Sequence, residues 1–118
     1  MSGRQRIIRN VEWTGPDGRV AVAEASGEID MEASTAFQED LLDAMARRPD
    51  RLVVDLSDVG YMDSSGVASL VKVLARSRRE KVNLVLAGMV PRVRGVFEIT
   101  RLDTVFDIRS SREEAVQT

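Results

Sequence analysis

Between Leu52 and Leu56 the chain runs Leu-Val-Val-Asp-Leu, a stretch with a single polar residue and no side left for water. A strand of that kind is buried on both faces, which places it among parallel neighbours covered by helices. It passes through a short polar turn, Ser57 to Met62, and opens into a helix at Asp63-Ser64-Ser65-Gly66. Val67, Leu70, Val71 and Leu74 recur at i, i+3, i+4 and i+7 and are expected to form the helix's core stripe. Gly66, Ser69 and Val73 share a neighbouring flank. With Val73 expected to be exposed beside two small residues, that flank is a candidate partner-binding surface.

Asp63, Ser64 and Ser65 crowd the helix start, where four backbone N–H groups lack intrahelical partners and the macrodipole is positive. One oxygen suffices to cap a helix, and three are present. A phosphate would be favoured at the same spot.

The remaining elements are read in chain order. Arg6 to Trp13 is expected as a first strand, with Trp13 packing at the rim of the core; Thr14 to Gly18 is a turn cluster and Val20 onward a second strand. Asp30 stands as a plausible cap ahead of a helix from Glu32 to Arg47, whose inner face is Phe37, Leu41, Leu42 and Met45, and Pro49 ends it. Asn83 to Ala87 is a strand, Pro91 opens a short helix packed through Val93, Val96 and Phe97, and Val105, Phe106 and Ile108 form a last strand. Ser111 and Glu114 have capping-box spacing for a terminal helix through Val116. The expected architecture is a single α/β domain over residues 1–118: a mixed, mostly parallel sheet of about five strands with helices mainly on one side.

Composition excludes more than it proposes. Neither histidine nor cysteine occurs, so Ser-His-Asp and Cys-His catalysis, imidazole-bound zinc or iron and thiolate metal sites are ruled out. Met62 to Gly66 matches a nucleophile elbow only in its last three positions, and Ser69 with Lys72 makes an isolated S-x-x-K; with no general base available, no enzyme activity is expected. Seventeen basic and 19 acidic residues are interspersed, with a short cluster at Arg4, Arg6 and Arg9 that fits the solvated side of a strand, so no nucleic-acid stripe is present. No apolar run approaches the roughly 18 residues of a membrane span and no signal-peptide core follows Met1, so no membrane insertion is expected and the cytoplasm is the expected location. A receiver-like alternative would phosphorylate Asp55, with Glu28 and Asp30 as its acidic pair. It lacks the lysine near the last strand, since the only lysines are Lys72 and Lys81.

Gly27-Glu28-Ile29-Asp30, Val54-Asp55-Leu56 with Asp58, Tyr61-Met62-Asp63-Ser64-Ser65-Gly66 and the helix around Val93 to Phe97 resemble, in order, the STAS domain, and within it the anti-sigma factor antagonists of bacterial partner-switching systems. The resemblance implies that Ser65 is the phosphoacceptor and that Asp63 and Asp30 line the partner-binding surface; Ser64 is the alternative acceptor, and Ser64 with the Gly66, Ser69 and Val73 flank completes the candidate partner surface. It implies an anti-sigma factor with serine kinase activity as partner, a PP2C-type phosphatase that restores the switch, a weak homodimer at most, and no cofactor or metal of the chain's own. The same family also supplies docking subunits to stressosome-like and lipid-transport assemblies. A phosphoryl group on Ser65 would add about 1.5 to 2 negative charges that the helix start tolerates and a packed partner does not.

Overall fold

The computed structural model describes residues 6–117, and Arg4 of the basic cluster lies outside them. Its elements are β1 (Ile8–Thr14), β2 (Val20–Ile29), α1 (Ser34–Ala46), β3 (Arg51–Met62), α2 (Ser64–Glu80), β4 (Asn83–Ala87), α3 (Pro91–Ile99), a 3-10 turn (Leu102–Thr104), β5 (Asp107–Arg109) and α4 (Arg112–Gln117). One sheet runs β1-β2-β3-β4-β5; β1 is antiparallel to β2 and every later pair is parallel. This is the expected α/β architecture. Among the described residues, no helix is long and apolar enough to cross a membrane.

Alternation along β3 assigns the two faces. Leu52, Val54 and Leu56 join Phe37, Leu41 and Phe97 in the larger core beneath α1, α2 and α3, while Val53 joins Val22, Val85 and Ala115 in a smaller one. Each large side chain fully buried there contributes roughly 1.5–3 kcal/mol before chain entropy is subtracted. Asp55 explains how a buried strand tolerates an acid: it faces α4, where Arg112 bonds Glu12 of β1 and Glu24 of β2 and reaches Asp55 Oδ2 at 3.4 Å. Arg51 adds a bond from its guanidinium to the Ala115 carbonyl at 2.8 Å, so this six-residue helix is held by two arginines as well as by its buried Ala115.

Two expectations change here. Ser57 to Met62 is not a turn: β3 continues through it, paired with β2 as far as Ile29 opposite Met62, although its pairing with β4 stops at Asp55 opposite Ala87. The ten-residue β2 supplies partners on one side, which is enough to keep the polar stretch extended. The packing face of α2 is also rotated from the expected one. Gly66, Ser69 and Val73 are buried, Val73 completely, whereas Val71 is 41% exposed. Because α2 packs against α1 as well as the sheet, small residues sit where the helices meet, and the Ser69 hydroxyl donates to the Ser34 carbonyl at 3.1 Å within that contact.

Elsewhere the boundaries move by a residue or two. Trp13 lies at the sheet edge, 37% exposed. The α1 helix begins at Ser34 after a turn over 31–33, and Asp30 caps that turn, its Oδ1 accepting from Glu32 N at 3.0 Å and Ala33 N at 3.1 Å. Ser111 Oγ accepts from Glu114 N at 3.1 Å, while Glu114 reaches back to the N–H of Ser110 rather than of Ser111.

Candidate functional site

The carboxyl ends of β2 and β3 bring two caps together. Asp63 N donates to the Ile29 carbonyl at 3.1 Å, which ties the residue before α2 to the end of β2, immediately ahead of Asp30. Gly66 then allows α2 to start directly against the strand ends, because a Cβ there would lie 2.7 Å from Met62 Cγ and 2.8 Å from Ile29 Cγ2. Asp63 is the N-cap in extended conformation, and its Oδ1 accepts from Ser65 N at 2.9 Å and from Ser65 Oγ at 2.5 Å.

That second bond has the length of a charge-assisted O–H···O⁻ contact. The Ser65 hydroxyl holds the Asp63 carboxyl below the usual aspartate range, burial opposes it, and the backbone N–H groups of Ser65, Gly66 and Met31 add to the lowering. The proton of Ser65 is therefore engaged, and its oxygen lone pairs are what a reacting group would meet. Ser65 is half-buried and Ser64 exposed. A depressed carboxylate contributes stability that is complete above its unfolded-state pKa and drains away as pH falls through the folded-state value. The Ser65 amide is accordingly expected to titrate in an NMR pH series with a midpoint below that of a free aspartate; a midpoint at or above it would mean that the capping bond is not made.

Of the residues singled out in the sequence, the structure gathers Asp30, Asp63, Ser64 and Ser65 at this end of the sheet. Gly66, Ser69 and Val73 are not part of its surface, since all three face inward. Their flank reads as surface only if the sheet is the sole packing partner of α2. The receiver arrangement is also not formed: the β2–β3 register sets Glu24 opposite Asp55 and Glu28 opposite Tyr61, and the Asp55 carboxylate accepts from Ser57 N and Oγ and faces Arg112. One neighbour escaped the sequence reading altogether: Met31, 79% exposed beside Asp30, in a turn too short to carry a periodic signal.

Comparison with known proteins places the fold in a family. Residues 15–115 match the STAS domain family. The anti-sigma-B factor antagonist of Listeria monocytogenes is 33% identical over 89 residues, 75% of this chain and 78% of its own. That of Bacillus subtilis is 32% identical over 92 residues, 78% of this chain and 84% of its own. A crystal structure of an anti-sigma factor antagonist from Mycobacterium paratuberculosis superimposes with a TM-score of 0.79 at 27% identity, covering 92% of this chain and 94% of that one. With the expected mixed, mostly parallel five-stranded sheet and these matches spanning most of its length, the chain belongs to the STAS domain family.

Proposed function

We propose that this chain is an anti-sigma factor antagonist switched by phosphorylation of Ser65. In its unphosphorylated form it captures an anti-sigma factor with serine kinase activity, and a sigma factor is released. The kinase ends the capture by transferring the γ-phosphoryl group of its ATP: a bond forms from Ser65 Oγ to phosphorus, the bond to the leaving ADP breaks, and the hydroxyl proton passes to a base. A PP2C-type phosphatase reverses the modification. Asp30, Asp63 and Ser64 line the contact, and the ATP belongs to the partner.

The observation that carries this function is the Ser65–Asp63 pair. A hydroxyl whose proton is held at 2.5 Å by its own cap sits half-exposed on the positive end of a 17-residue helix. Phosphorylation would remove that donor and set a dianion beside the Asp63 carboxylate, in a place that the core does not depend on. A partner packed over it would have to bury the new charge, which costs several kcal/mol, of the same order as a modest interface gains. The named role of the relatives, antagonism of anti-sigma factors, fits such a switch.

The decisive measurement is the intact mass of the protein recovered from its native cells in different growth states, followed by fragmentation. One phosphoryl group on Ser65 is the expected result. A phosphate on Ser64 would move the acceptor by one residue, one on Asp55 would make the chain receiver-like, and an unmodified protein in every state would leave a docking subunit.

A further inference from the structure

We infer that Met31 is the apolar anchor that the kinase partner buries when it reaches Ser65, an inference that rests on the function proposed above. Met31 is 79% exposed, yet its backbone is held from several sides. Asp30 caps the turn through Glu32 N and Ala33 N, the Asp30 carbonyl accepts from Ser34 N at 2.9 Å, and Ser34 Oγ donates to the Met31 carbonyl at 3.3 Å. The buried Ser69–Ser34 bond then fastens that turn to α2, the helix that carries the acceptor.

Its position relative to Ser65 defines the occupant. Asp63 N bonds the Ile29 carbonyl two residues before Met31, and the Asp63 carboxylate takes the Ser65 hydroxyl, so the end of β2 that leads into Met31 lies against the residue that holds Ser65. An active site that closes on Ser65 Oγ must cover Met31. The side chain suits an anchor: it is unbranched, polarizable and able to fill an irregular socket. The chain on either side of it is acidic, with exposed Glu28 and Glu32 and half-buried Asp30, and Asp63 is tied to the same end of β2, so the socket that fits is apolar with a basic rim. Ile99 is more exposed, at 86%, but it ends α3 and has no reactive group beside it. A backbone already held in place also avoids the ordering cost that a loose loop would impose on binding.

The test uses purified full-length chains, each incubated with ATP, magnesium and an extract of the native cells, with the initial rate of Ser65 phosphorylation followed by intact mass. Losing one buried methionine side chain should slow Met31→Ala by about tenfold. Met31→Asp should be slower still, and Met31→Leu should stay within about twofold of the wild type, because the apolar volume is kept. Thermal unfolding should be unchanged in all three, since the side chain is mostly in water. Equal rates for wild type and Met31→Asp overturn the anchor and leave the Ser65 switch standing. A wild-type chain that gains no phosphate on Ser65 overturns the switch, and the anchor falls with it.

Discussion

Gly66→Val is expected to cost more than about 3 kcal/mol and to leave little folded protein at 37 °C, because overpacking at a tight contact costs about 1–3 kcal/mol even for small insertions. The single Cβ of Gly66→Ala already falls 2.7 Å from Met62 Cγ, 2.8 Å from Ile29 Cγ2 and 3.2 Å from the Ile29 carbonyl. Both side chains belong to the core, and the carbonyl is pinned by Asp63 N, so the helix start itself must lift away. Removing a helical glycine would otherwise favour folding by up to about 1 kcal/mol. The overlap outweighs that gain, and Gly66→Ala should lose 1 kcal/mol or more by the same overpacking estimate of about 1–3. Gly95→Ala on α3 is the internal control. Nothing lies within 4 Å of its Cβ position, so the identical chemical change should stabilise. Urea denaturation of the two alanine variants should move the midpoints in opposite directions; a Gly66→Ala as stable as the wild type would show that α2 does not sit hard against β2.

Ser65→Asp is expected to weaken binding to the anti-sigma factor by at least about a hundredfold, roughly 2.7 kcal/mol, while stability changes by no more than about 1 kcal/mol. The fold loses the Ser65–Asp63 side-chain bond, worth about 0.5–1.5 kcal/mol net. It gains an acid in the first turn of α2, worth about 0.3–1 kcal/mol, and the repulsion between the two carboxylates is relieved into solvent. Those contributions nearly cancel. In a complex the added charge has no solvent to turn to, and the desolvation cost falls on binding alone. Ser65→Ala carries no charge and should bind whether or not ATP is present. Calorimetric titration of both variants with the anti-sigma factor of the same cells, alongside their thermal unfolding, separates the outcomes. If Ser65→Asp unfolds the domain, Ser65 is a structural cap and not a switch.

The two variants sit on adjacent residues and test different links. Gly66 acts through packing: it lets the helix begin where Ser65 can be presented. Ser65 acts through charge, on whatever is pressed against it. Met31 is a surface residue whose backbone, not its side chain, belongs to the fold.

Much of this was legible from local pattern. The Leu52–Leu56 strand, the helix beginning after Asp63, the cap at Asp30, the stop at Pro49 and the proline opening of α3 are short-range events, decided by hydrogen-bonding groups and dihedral preferences within a few residues. The pairing of β1 with β2 followed from the Thr14–Gly18 turn cluster. What pattern misjudged was the orientation of α2. A glycine, a serine and a valine read as a face for a partner, and in the fold they are buried where α1 and the strand ends come close. The end of β3 was misjudged for a related reason: Ser57 and Asp58 look like a turn because only one side of that strand is paired.

From its sequence alone this chain is committed to an α/β domain, to a cap at Asp30 after β2 and polar capping groups at the start of α2, and to chemistry that uses neither imidazole nor thiol, because each of those depends on residue type and near neighbours. Only the tertiary structure decides which side of α2 meets water, that Arg112 clamps three strands from the last helix, and that the start of α2 is tied to the end of β2. Those outcomes depend on contacts between residues more than 30 positions apart, where steric fit and charge pairing act across space and leave no periodic trace along the chain.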